Sequence, residues 1–355
     1  VNLLTWEMKS HTKAKHVVLE NYLKAWFPIM AHTFERIIYI DGFAGPGRYL
    51  KGEDGSPIKA LKIALDIFKQ HKVKLMKKDF IFVFIEEDKE SYESLLNEIK
   101  KLALPDEFKV IPLNEKFDVA MEKILGNIKT SLAPTFTFID PFGTKGVPFS
   151  ISQKILSYNS CEVFFNFMSS GVIRSSSVTD HTELFGTEEW KEINDLEPSE
   201  KHYAFLDLYF KQLKTSAKVK FVRSFNVRNK KNATIFDLIY ATNNKVGLEK
   251  MKAAMWAADP MGNYTFRDTT DKNQLVLFED SPDLTPLKET LLHKFSKQSV
   301  QIQKIEEFVL FETPYLSTHI KTKTLVPLEK EKTITVNRPS GSRKGYVKGT
   351  IINFP

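Results

Sequence analysis

Asp140-Pro141-Phe142-Gly143 is the stretch of this 355-residue chain best suited to chemistry. An amine on a nucleic-acid base is a poor nucleophile, because its lone pair is drawn into the ring. A carboxylate such as Asp140, helped by the Pro141 carbonyl, accepts the amine's N–H bonds, draws the nitrogen towards tetrahedral geometry and aims the lone pair. Phe142 could stack on the base and hold its angle. The rate then comes mainly from alignment of the nucleophile with its electrophile.

A second candidate is Asp41-Gly42-Phe43-Ala44-Gly45-Pro46-Gly47, where Gly45 and Gly47 lack a Cβ and let backbone approach a ligand. The spacing is not the G-x-G-x-x-G of a dinucleotide site, and nine residues (48–56) separate Gly47 from Pro57. No Walker lysine follows, so a ligand without phosphates is expected and a nucleotide-dependent dehydrogenase is disfavoured. S-adenosylmethionine is such a ligand. Its ribose hydroxyls want an acid, which Glu86 offers, and its adenine amine wants an acceptor, which Asn114 offers. Asp41 and the glycine loop would take its amino-acid end.

These residues need a frame that brings them to one edge. Apolar spacing at Leu19, Tyr22, Leu23, Trp26, Phe27 and Met30 predicts an amphipathic helix over 11–30. Short apolar runs at 36–41, 80–85, 108–113, 135–139 and 161–167 predict strands. The second is followed by a predicted helix to about residue 102 and the third by one to about 132. Ser56 is expected to cap a helix running to about residue 71, with Pro57 at its first position. Continuous apolar strands separated by helices imply a parallel sheet covered on both faces, a doubly wound α/β domain. Its ligands belong outside the carboxyl ends of the strands, where Asp41, Glu86, Asn114, Asp140 and Asn166 all fall.

Composition bounds the class. Hydrophobic residues are 42% and charged residues 27%, which excludes wholesale disorder. The single cysteine, Cys161, makes neither an internal disulfide nor a multi-thiolate zinc site, so no metal is expected. Without a basic apolar leader or an apolar run of about 18 residues, a cytoplasmic protein with no membrane span is expected. The net charge of +7 is segregated: residues 211–231 hold eight Lys or Arg and no acid. Such a face suits a polyanion.

Lys13-Ala-Lys15-His16, Tyr39-Ile-Asp41-Gly-Phe-Ala-Gly-Pro-Gly47, Gly55-Ser-Pro57, Ile85-Glu86 and Ile139-Asp-Pro-Phe-Gly143 resemble the three-Cys-motif partner protein (TcmP) family. The likeness extends to Lys250-Met251-Lys-Ala-Ala-Met255-Trp256 and Asp259-Pro-Met-Gly262. It implies a Rossmann-like class I methyltransferase using S-adenosylmethionine, with a three-cysteine protein as a possible partner. The Lys15-His16 helix and glycine loop are similar to those of large-subunit rRNA adenine-N6 methyltransferases, which implies a cofactor contact for His16. Phe43 stands where the usual cofactor loop has its first glycine. The Asp-Pro-Phe-Gly turn is similar to that of tRNA guanine-N2 methyltransferases.

Phe236–Ala241 reads as a further strand and Leu248–Ala258 as a helix. After Ser281-Pro282-Asp283 the order is helix (286–295), helix (300–311), helix (315–325) and hairpin (333–336 with 344–354), a winged helix. It divides the chain into a methyltransferase-like α/β domain over 1–280 and a winged-helix-like domain over 284–355. Lys321 and Lys323 on the third helix, and Arg338, Arg343 and Lys344 on the wing, would suit phosphates. The expected function is transfer of a methyl group to an exocyclic base amine of RNA or DNA, with RNA favoured over DNA as the partner. The rival is an inactive scaffold that binds nucleic acid or the three-cysteine partner.

Overall fold

The computed structural model describes residues 8–128, 131–229, 231–259, 265–267, 282–341 and 345–355. The chain forms two compact units, Val1–Ala254 with Thr265–Asp271, and Met255–Tyr264 with Lys272–Pro355.

In the first unit the chain runs α1 (Ser10–Thr33), β1 (Arg36–Asp41), α2 (Ser56–Gln70), α3 (Lys72–Leu75), β2 (Asp79–Ile85), α4 (Lys89–Lys100) and β3 (Phe108–Leu113). It continues with α5 (Phe117–Gly126), β4 (Thr135–Ile139), α6 (Phe149–Leu156), β5 (Cys161–Phe167), α7 (Ser169–Ser175), α8 (Thr182–Phe185) and α9 (Pro198–Thr215). The last elements are β6 (Phe221–Arg228), β7 (Thr234–Thr242), α10 (Lys245–Ala258) and β8 (Thr265–Arg267).

The sheet order is β3-β2-β1-β4-β5-β7-β6-β8. β1 to β5 are parallel, and β7 runs antiparallel to both β5 and β6. This is a doubly wound, Rossmann-like sheet with an antiparallel strand inserted beside β5. Every residue of β4 and β5 is buried, as central strands covered on both faces require. One face is aromatic: Tyr39, Phe82 and Phe136 meet Trp26 and Phe27 of α1. The other is largely aliphatic, with Ile40, Val83, Val163 and Ile239 packed in one cluster with Met121, Ile155 and Leu213. The chain switches direction between β1 and β4, so a crevice opens beyond their carboxyl ends.

Two details depart from the sequence reading. Gly55, not Ser56, is the cap of α2. The Ser56 side chain makes no cap bond, and its hydroxyl favours the charged form of the Asp41 carboxylate. The helix after β3 ends at Gly126, short of residue 132.

The second unit is a winged helix. α11 (Thr285–Lys294) and β9 (Ser299–Gln301) precede α12 (Ile302–Glu312). The third helix spans α13 (Ser317–Ile320), a wide turn at Lys321–Leu325 and α14 (Val326–Lys330). β10 (Thr335–Asn337) and β11 (Ile351–Asn353) follow, with β11 central in the antiparallel order β10-β11-β9. The wide turn precedes Pro327, which lacks the N–H a regular helix would bond and whose ring crowds the preceding turn. Thr324 Oγ1 donates instead to the His319 carbonyl at 2.8 Å. Leu287, Leu291, Ile305, Val309, Ile320, Leu325 and Ile352 form the core, and Trp256 joins it by donating from Nε1 to the Pro314 carbonyl at 2.8 Å.

Among the described residues, no helix is long and apolar enough to cross a membrane.

Candidate active site

A cavity of about 200 Å³ opens at the carboxyl edge of the first unit's sheet. Its walls come from the start of α1, the loop between β1 and the first residue of α2, the turn after β4, the end of β5 and the start of β7. Phe43, Gly45, Gly47, Asp140 and Phe142 all line it.

The loop after β1 is held from below and behind. Gly45 and Gly47 adopt positive φ of 63° and 80°, a conformation glycine takes without steric cost. Gly45 N–H donates to Glu86 Oε2 at 2.7 Å, and Asp88 N–H donates to Glu86 Oε1 at 2.8 Å. Glu86 therefore buckles the loop to the end of β2; burial raises its carboxyl above the ordinary range, against the pull of those two N–H groups. Asn114 donates through Nδ2 to the carbonyls of Glu86 at 2.9 Å and Glu87 at 3.1 Å, fixing the same corner.

Asp41 is fully buried beneath the loop. Tyr39 OH and Phe43 N–H each donate to it at 3.4 Å. Burial pushes its carboxyl up to about 7, opposed by the Ser56 hydroxyl and reinforced by the nearby Asp140 charge. Tyr49 is likewise raised by burial and by Asp140 and Asp41. His16 is buried with Nδ1 unpartnered, its ring 5.9 Å from that of Tyr49. Burial, with Lys15 and Lys59 nearby, holds it well below 6.5 and so neutral at physiological pH. Asp41, His16, Glu86 and Asn114 thus stand behind the cavity wall, whereas the loop they surround forms the wall itself.

Asp140 faces the cavity, and neither oxygen is idle. Lys15 of α1 forms an ion pair with Oδ2, and Asn166 of β5 donates to Oδ1 at 2.7 Å. Lys15 also lies 5.6 Å from the centroid of Phe236 on β7. The Asn166 Oδ1 atom is buried without a hydrogen-bond partner. Phe142 is 58% exposed, an unusual state for a large apolar ring.

Sequence reasoning missed Lys15 and Phe236, and gave Asn166 a place but no task. Lys15 lies 125 positions from Asp140, and only its presence beside His16 flagged it.

In the second unit, Lys321 Nζ pairs with Glu306 at 2.8 Å, and Arg338 with Glu329 at 2.7 Å. Tyr346 OH also donates to Glu329, at 2.8 Å. Lys323 is exposed and lines an open hollow with Asp283 and Lys288. Arg343 and Lys344 lie outside the described residues.

Residues 264–341 match the family model of the GMT-like wHTH domain. No curated protein matches the chain in sequence. Solved structures similar to it include methyltransferases. Trm1 from Pyrococcus horikoshii in complex with S-adenosyl-L-methionine is 9% identical, over 96% of this chain and 91% of that one, with a TM-score of 0.38. Cofactor-bound Rv0187 from MTB is 10% identical, over 65% and 90%, with a TM-score of 0.33. The SAH-bound Podospora anserina methyltransferase PaMTH1 is 10% identical, over 64% and 87%, with a TM-score of 0.29.

Proposed function

We propose that the chain is an S-adenosylmethionine-dependent methyltransferase that acts on an exocyclic base amine of RNA or DNA. The observation that carries the reading is a single cavity that joins the glycine loop to Asp140 and an exposed Phe142.

The residues fit the cofactor on two counts. A Cβ at Gly45 would meet nothing within 4 Å, so the loop borders open space there. Asn166 Oδ1, in the wall, is a buried acceptor awaiting a donor. Phe43, Gly45 and Gly47 would line the cofactor, with Glu86, Asn114, Asp41 and His16 holding the loop from behind. The bound cofactor supplies a methyl group on a positively charged sulfur.

The chain's own groups do the rest. Asp140 accepts an N–H of the target amine. A carboxylate offers about four acceptor positions, so Lys15 and Asn166 leave room for it. The Pro141 carbonyl takes the second N–H, and Phe142 stacks on the base. The base must be single-stranded or flipped to reach this depth.

Tritiated methyl transfer from S-adenosylmethionine to mixed RNA and DNA tests the proposal. Label should enter nucleic acid with the native chain and not with Asp140→Ala. Transfer that persists undiminished in that variant would remove Asp140 from the mechanism. The engagement of both Asp140 oxygens favours a second reading, an inactive scaffold whose winged helix binds nucleic acid. Cofactor binding without turnover on any nucleic acid would support it.

A further inference from the structure

Four cations stand on three neighbouring segments at the same sheet edge as the cavity. Lys145 is in the turn after β4, Arg174 on α7, and Arg228 and Lys231 at the β6–β7 hairpin. The segments touch in sequence. A Cβ placed on Gly171 of α7 would come 3.3 Å from Thr144 Cγ2, beside Lys145. Ser170 Oγ donates to the Ile235 carbonyl at 2.6 Å, which joins α7 to the first turn of β7. Asp140, Pro141, Phe142, Ile235 and Phe236 of these same segments line the cavity.

The hairpin is built to hold its shape. Asn229 Oδ1 accepts from the N–H groups of Lys231 at 2.9 Å and Ala233 at 3.0 Å, and Asn232 takes a positive φ of 62°. Arg228 is braced by Asn226 Oδ1 at 2.6 Å. Lys145, Arg174 and Lys231 are exposed, and none takes part in an ion pair among the described residues.

The charge is placed where a polyanion would have to lie for one of its groups to enter.

We propose that Lys145, Arg174, Arg228 and Lys231 hold the phosphates that flank the target base of a single-stranded nucleic acid. This rests on the methyltransferase reading for what the base then meets. Phe142 is the stacking platform and the cations track the backbone, the two components of sequence-tolerant strand binding. A duplex fits less well, because its bases would have to leave the stack first.

The test uses the full chain, with a labelled strand of about 12 nucleotides of mixed sequence, in RNA and DNA arms, read by fluorescence anisotropy. The variant combines Lys145→Gln, Arg174→Gln and Lys231→Gln, all exposed; Arg228 is left in place because it braces the hairpin. Each lost phosphate contact lowers the log–log salt slope by about 0.7 and costs about fivefold in affinity at 0.1 M salt. The triple variant should therefore bind about a hundredfold more weakly, with the slope reduced by about 2. Calorimetric binding of S-adenosylmethionine should be unchanged. Unaltered affinity and slope, or no strand binding by the native chain, would overturn the proposal. Absence of cofactor binding by the native chain would instead defeat the methyltransferase reading while strand binding is still measured. The RNA and DNA arms show which strand is preferred.

Discussion

Glu162 offers a test of the packing that holds α1, and with it Lys15, against the sheet. Its carboxylate is 1% exposed on β5, between α1 and β7. Tyr22 OH donates to Oε2 at 2.5 Å and Thr242 Oγ1 to Oε1 at 3.1 Å, while the Tyr22 and Tyr240 hydroxyls meet at 2.7 Å. Burial outweighs these donors and pushes the carboxyl from 4.5 up to about 7. The folded chain therefore keeps a proton that the unfolded chain has released between those values. The stability linked to that proton is fully present below about pH 4.5 and is lost as pH rises to about 7.

At roughly 1.4 kcal/mol per pH unit, the loss is about 3 kcal/mol. Glu162→Gln keeps a neutral acceptor and cannot ionise. Thermal unfolding should show it equal to the native chain near pH 4.5 and more stable at pH 8. For a unit of this size about 3 kcal/mol corresponds to roughly 6–12 °C. Asp41, also pushed up to about 7, is common to both proteins and cancels in the comparison. A glutamine variant less stable by the same margin at both pH values would refute the reasoning, for it would mean that the donors outweigh burial.

Two further substitutions separate packing from chemistry. Gly247→Ala would place a Cβ 2.4 Å from Glu162 Oε1 and 2.6 Å from Tyr240 OH, so overpacking should cost about 1–3 kcal/mol, read as a lowered Tm. Phe142→Ala removes an exposed ring; it should leave Tm nearly unchanged but weaken strand binding by the stacking of one base, about 1–3 kcal/mol, in the anisotropy assay.

The strands were legible because period and burial agree. β1 begins and ends at Arg36 and Asp41, as its apolar run predicts, and the largely apolar, fully buried runs of β4 and β5 are central. The ends of helices were less so. Ser56 has the chemistry of a cap, yet a buried Asp41 competes for its hydroxyl, and only the folded chain brings the two together. Glu86 and Asn114 were readable as strand-end residues, but their backbone partners, the Gly45 N–H and the carbonyls at the end of β2, depend on how the loop closes. Lys15 was the hardest. Its partner is set by the docking of α1 across the sheet, which no local pattern encodes.

The central claim is that the cavity bounded by the glycine loop and Asp140 receives S-adenosylmethionine. Isothermal titration of the cofactor into the full chain tests it most directly. The account predicts saturable one-to-one binding by the native chain, and its loss in Glu86→Ala, where the loop loses the acceptor for Gly45 N–H. A folded native chain that takes up no cofactor would contradict it.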